Sequence, residues 1–207
     1  MASTAAMQSP ADLCNLALAR MGFKLRIGSL YDGSIAAKKF LDTYSQTRDA
    51  LLEDYDYDFA ERTIVLTLLK SAPPTGYFPP VVWNPATNPP FGFDFEYAFP
   101  GDCIKIRTVK PAALFGMNAD PQPHSFQLAN DNNYTPGQRV VLCNVSNAIA
   151  VYTGQVTDPT TWNVSFCEEL SAALARRLGS VLVGGEAAKM EASDEQVSTS
   201  MAQMDAR

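Results

Sequence analysis

Apolar and polar positions follow two different periods along this chain. In residues 10–57 and 159–205, apolar side chains recur at three- and four-residue spacing, the period of an amphipathic helix. Residues 73–154 lose that period and read as a proline-rich loop followed by short strands.

Ser9-Pro10 is a helix start, because Ser can cap and Pro suits the first helical position. Leu13, Cys14, Ala17, Leu18 and Met21 then share one face, and Gly22 supplies the C-terminal stop. A connector over 23–33 ends in Asp32-Gly33-Ser34, which can cap a second helix over about 35–56. Ala36 or Ala37, Phe40, Leu41, Tyr44, Leu51, Leu52 and Tyr55 line one side of it. Arg48 falls toward that apolar side, where a carboxylate partner is expected. A third helix is expected from about Asp158-Pro159, with Phe166, Leu170, Leu174, Leu178 and Leu182 in an unbroken four-residue row. Gly184-Gly185 breaks it. In the polar segment that follows, Met190, Val197 and Met204 recur seven apart, with Ala187 and Met201 at intermediate positions. So narrow a stripe cannot stabilise a lone helix, so the segment is either a solvated tail or one that orders on a partner.

The middle is different in kind. Residues 73–92 hold Pro73, Pro74, Pro79, Pro80, Pro85, Pro89 and Pro90, a density that forbids helix and central strand. That loop carries Tyr77, Phe78, Trp83 and Phe91, which are candidate interface aromatics. Five short strands follow: Phe93 to Phe99 alternating with Asp94 and Glu96, then Ile104 to Val109, Phe126 to Leu128, Val140 to Cys143, and Ala148 to Tyr152. Pro100-Gly101, Pro136-Gly137 and Ser146-Asn147 are the turns.

Charge narrows the function. Charged residues are 18% of the 207, below the usual quarter, so more surface than normal is expected to meet partners. The net charge of −6 argues against wrapping DNA, which needs a basic stripe, but suits a wall past which DNA slides. Cys14, Cys103, Cys143 and Cys167 form no C-x-x-C pair, and His124 is the one histidine, so no zinc site, cofactor or other metal is expected. The cysteines read as buried small hydrophobes in a reducing cytoplasm. No long apolar run suggests a membrane span, and the first residues lack the basic and apolar parts of a signal peptide. The acidic run Glu53, Asp54, Asp56, Asp58 and Glu61 lacks the spacing of a calcium loop. No phosphate-binding, dinucleotide or hydrolase motif occurs, so no catalytic residue is assigned.

Four sequence stretches carry a resemblance: LCNLALARMG (13–22), IGSLYDGSIAAKKFLDTYSQTRDALLEDYDYDFAER (27–62), YAFPGDCIKI (97–106) and DPTTWNVSFCEELSAALARRLG (158–179). In this order they resemble the tail tubular protein A family, the head-to-tail adaptors of short-tailed phages, and related connectors of other tailed phages. One departure is Tyr57, where the family more often has Trp. The segment 73–92 lies outside the resemblance.

The resemblance implies a virion protein of the head-tail junction, made in the host cytoplasm. It would form a homo-oligomeric ring, a dodecamer by the family's pattern, between the portal and the next tail protein, a nozzle or tail tube. Duplex DNA would pass through its channel without specific binding. The expected fold is α+β: a helical bundle from both chain ends with an inserted small antiparallel β-sandwich or barrel. The expected divisions are 1–66 and 158–185 for the helical body, 67–157 for the loop and β domain, and 186–207 for a C-terminal arm. Met190, Val197, Met201 and Met204 are the expected portal-docking residues. Two other readings stay open: a receptor- or carbohydrate-binding tail module built on the β-domain aromatics, and a hydrolase around His124 and the acidic run.

Overall fold

The computed structural model describes residues 9–73, 82–112, 123–134 and 136–183. Two compact units share the chain: residues 1–55 with 156–207, and residues 56–155.

The first unit holds three helices: α1 (Pro10–Arg20), α2 (Ile35–Asp54) and α3 (Val164–Val183). Helix α1 opens with a reciprocal cap. The Ser9 hydroxyl accepts from Asp12 N–H, and the Asp12 carboxylate accepts from Ser9 N–H at 3.1 Å. It closes with Gly22 at φ +87°, where Phe23 N–H donates to Leu18 O and Gly22 N–H to Ala19 O. The connector to α2 is fixed by side-chain amides. Asn15 Nδ2 donates to Ile27 O at 2.9 Å while Ile27 N–H donates to Asn15 Oδ1 at 2.8 Å. Asp32 then accepts from the N–H groups of Gly28 and Ser34, and the Ser34 hydroxyl caps α2 at Ala37 N–H. Burial alone would raise the Asp32 carboxyl, but these donors hold it below the usual range. Asn163 caps α3 at Phe166 N–H.

α1 and α2 each pack against α3, and Leu13, Leu18, Phe40, Leu52, Phe166, Leu170 and Leu174 are fully buried. The apolar row of α2 is narrower than its sequence suggests. Leu41 and Tyr55 are exposed, whereas Thr47 and Arg48 are buried. Arg48 lies 2.7 Å from Asp49, its neighbour in sequence.

The second unit is two antiparallel sheets. Its strands are β1 (Glu61–Val65), β2 (Leu68–Ser71), β3 (Phe95–Ala98), β4 (Cys103–Pro111), β5 (Phe126–Asp131), β6 (Gln138–Cys143) and β7 (Ala148–Gly154). One sheet has the order β1-β7-β4 and the other β2-β3-β6-β5. The core between them is Leu66, Tyr97, Ile106, Val109, Val141, Cys143, Val145, Ala148, Ala150 and Tyr152. The Tyr97 hydroxyl donates to Val145 O at 2.7 Å and so ties β3 to the turn before β7. Pro100-Gly101 and Ser146-Asn147 carry the chain from one sheet to the other; the hairpin is β5-β6.

The expected bundle from both chain ends, with a small inserted sandwich or barrel, is not what forms. The described residues contain three helices, one of them 11 residues long, against seven strands in two sheets, and the fold is α+β overall. Three physical reasons account for the difference. α2 stops at Asp54, and residues 61–65, expected in the helical body, pair as β1 with β7. Chain after Pro159 makes a 3-10 turn before α3 starts at Val164, so that helix is shorter at its start than expected. Two further strands, β1 and β2, enlarge the sheet region from five strands to seven. Among the described residues, no helix is long and apolar enough to cross a membrane.

Candidate functional site

The most chemically loaded place lies in the second unit, where the described part of the proline-rich loop covers the sheet β2-β3-β6-β5. Strand alternation puts Lys70 of β2 opposite Glu96 of β3. Asp131 ends β5 on the far edge of the same sheet. All three side chains are nearly inaccessible to solvent. Lys70 Nζ hydrogen-bonds Asp131, lies 3.3 Å from Glu96 Oε1, and donates to Pro85 O at 2.9 Å. Its charge also sits 5.5 Å from the Tyr134 ring centroid.

This arrangement ties the loop to both edges of the sheet. Asn133 Nδ2 donates to the same Pro85 carbonyl at 3.0 Å and to Asp131 Oδ1 at 2.6 Å. The loop is braced internally too. Asn84 N–H donates to Asn88 Oδ1 at 3.0 Å, and the Trp83 indole N–H donates to Pro89 O at 2.9 Å. At its end, Asn144 Nδ2 donates to Gly92 O and Asn144 Oδ1 accepts from Asp94 N–H. Proline supplies rigidity without any backbone ladder.

Electrostatics within the cluster are uneven. Burial raises Asp131, but Lys70 and the Asn133 donors outweigh it and bring the carboxyl down to about 2. Burial and the neighbouring Asp131 push Glu96 up despite Lys70. Burial lowers Lys70, and its two carboxylate partners raise it more. Glu96 Oε1 pairs with Lys70 Nζ at 3.3 Å as an ion pair, and among the described residues it has no hydrogen bond of regular geometry.

Beside the cluster is a cleft of about 180 Å³, lined by Trp83, Pro85, Asn88, Pro90 and Val140 together with Lys70, Glu96 and Asp131. Trp83 stacks on Phe91 with ring centroids 4.9 Å apart. Trp83 is 40% exposed and Phe91 80%, and Val82 beside them is 87% exposed. The loop therefore presents a fixed apolar ridge next to a cleft with an ionic floor.

Of the expected site residues, Trp83 and Phe91 come together in this stack. Tyr77 and Phe78, and the arm residues Met190, Val197, Met201 and Met204, lie outside the described residues. His124 is exposed, and its backbone N–H donates to Val109 O at 2.9 Å. In the acidic run, Asp56 pairs with Lys105 at 2.8 Å and Glu61 with Arg107 at 2.8 Å. The cysteines are free thiols; Cys14, Cys143 and Cys167 are buried, and burial pushes Cys14 up to about 12. Lys70, Glu96, Asp131 and Asn133 were not expected. The one sequence signal was a charged residue on each of two short apolar strands, which alternation assigns to solvent.

No protein-family model matches the chain, and no curated protein matches it.

Proposed function

We propose that this protein is a structural subunit of a phage virion: a head-to-tail adaptor that assembles as a ring between the portal and the next tail protein and forms part of the DNA channel. The observation that carries the reading is the ordered set of four sequence stretches at 13–22, 27–62, 97–106 and 158–179. Their polar members have fold-determining work in this chain. Asn15 pins the connector, Asp32 and Ser34 build the entry to α2, Asn163 caps α3, and Arg48 is buried beside Asp49. Words that specify packing and caps are those a shared fold would retain, and they carry no catalytic chemistry. The net charge of −6 supports a channel wall that does not hold phosphate.

A second reading, a carbohydrate-binding tail module, draws on one observation: half-exposed Trp83 beside the amides of Asn88, Asn130 and Asn133 in one cleft. Sedimentation of the full chain alone and with purified portal rings separates the two. A ring, or a stoichiometric complex with the portal, is expected for the adaptor. A monomer or trimer that ignores the portal and binds sugars would replace it with the module.

A further inference from the structure

The buried cluster under the proline-rich loop does not balance in charge. Glu96 and Asp131 are two carboxyl groups against one ammonium, Lys70, and all three are nearly closed to solvent. Among the described residues no other group makes up the difference. Arg139 of β6 holds its guanidinium over the Phe99 ring at 4.3 Å, and the β6 residue paired with Glu96 is Leu142. Tyr134 offers Lys70 only its ring face. The loop over 82–92 carries no charged residue, and the lone histidine, His124, is bridged to Val109 of the other sheet. A buried cluster is least costly when neutral, so one carboxyl keeps its proton.

The contacts decide which one. Asp131 accepts from Lys70 on one oxygen and from the backbone and side-chain N–H groups of Asn133 on the other, all donors that favour an anion. Glu96 has its 3.3 Å pairing with Lys70 and no donor of regular geometry on that oxygen. Its carboxyl also meets that of Asp131, a contact that is favourable only with a proton between them. Burial and that neighbour both push Glu96 up. Glu96 is the proton carrier.

The donors of this cluster are also what hold the loop. Lys70 Nζ donates to Pro85 O at 2.9 Å, and Asn133 Nδ2 donates to the same oxygen at 3.0 Å. An ionised Glu96 would repel Asp131 and draw the shared ammonium away from the neutral Pro85 carbonyl. It would also need water, and the cleft of about 180 Å³ beside Trp83, Pro85 and Pro90 is the way in.

We propose that residues 82–92 form a proton-gated strap: with a proton on Glu96 the loop is held to the sheet through Pro85, and loss of that proton lifts it. The hold is complete below the ordinary 4.5 and is lost as pH rises through the folded value of Glu96. Lifting frees the Trp83-Phe91 stack from its fixed place beside the cleft. The strap works within one chain, so its test is independent of ring assembly.

The test uses the full chain labelled with 5-fluorotryptophan, whose two tryptophans give two fluorine resonances. On titration from acid to neutral pH, the Trp83 resonance should move with one midpoint above 4.5, and its shift between H₂O and D₂O should grow as the loop lifts. Trp162, in the helical unit, should not follow that midpoint. Glu96→Gln keeps the shape of the side chain and is neutral at every pH, so it should hold Trp83 at its acid position throughout. A Trp83 resonance that ignores pH over this range, or the same transition in Glu96→Gln, would overturn the strap. A carbon-13 titration of the Glu96 carboxyl in the unsubstituted chain keeps the proposal open to refutation where the variant fails to fold: a midpoint at or below 4.5 would also overturn it.

Discussion

Replacing Lys70 by Met tests how the proline-rich loop is held. The substitution keeps the length of the stem but removes the ammonium that Glu96, Asp131 and the Pro85 carbonyl share. Lys70 and Glu96 are both nearly fully buried, so the two carboxylates left behind cannot recover solvation. Breaking such a pair by removing one partner costs about 3–5 kcal/mol, whereas replacing the whole set with apolar residues is close to neutral. Urea unfolding followed through the Trp83 fluorine signal should show the midpoint falling by about 1 M or more, for an m-value of about 1–3 kcal/mol per M. A Lys70→Met, Glu96→Leu, Asp131→Leu triple variant should recover most of that loss. The pH dependence has a definite sign. Lys70 is raised in the folded chain, so its contribution is full below its ordinary 10.5 and is lost as pH rises through the folded value. Asp131 is lowered from 3.8 to about 2, so its contribution is present above 3.8 and fades as pH falls toward 2. Glu96 is raised and works the other way: its share is greatest below 4.5 and is lost as pH rises through its folded value. The Lys70→Met deficit should therefore shrink as the solution is acidified through the carboxylate range. A loss under about 0.5 kcal/mol at neutral pH, with no change in the Trp83 signal, would refute the claim that this cluster anchors the loop.

Leu170→Ala should destabilise the helical unit by about 2–5 kcal/mol, because Leu170 is fully buried; thermal melts read through Trp162 would check it. Among the described residues the buried Tyr44 hydroxyl has no hydrogen-bond partner, and burial raises it well above its ordinary 10. Tyr44→Phe should consequently be neutral or stabilising by about 1 kcal/mol in urea melts, and a loss beyond that size would show that the hydroxyl has a partner. Truncation after residue 185 should leave the near- and far-ultraviolet circular dichroism of the two units intact but abolish co-sedimentation with portal rings. If the truncated chain still joins the portal, the docking role of Met190, Val197, Met201 and Met204 fails.

The parts of the fold legible in sequence are those set locally. Ser9-Pro10, Gly22 and Ser34 mark helix ends because capping involves neighbours three or four residues away, and the row Phe166, Leu170, Leu174 and Leu178 states its buried face directly. Leu41 misled because an apolar residue at the margin of a stripe can face solvent as easily as core. β1 escaped notice because all five of its residues are exposed, so no alternation betrays it. β2 is only four residues long and buries its Lys rather than its first Leu.

The candidate site was half legible. Trp83 and Phe91 stood out as aromatics in a loop of prolines, and they do stack. Lys70, Glu96 and Asp131 did not, because burial of a charged strand position depends on what covers it. Here the cover is residues 82–92, and the contacts of Pro85 that bring it over the sheet span 15 and 48 positions in sequence. Periodicity contains no such information. The switch between sheets at Pro100-Gly101 was hidden for a related reason: a turn motif announces a reversal, not which strand the chain pairs with next.

Electron microscopy of the purified full chain, alone and mixed with a portal ring, tests the central proposal most directly. Closed rings of this chain stacked coaxially on the portal, with an open central channel, are the expected result. Dispersed particles that leave the portal bare under conditions where the chain is folded would contradict it.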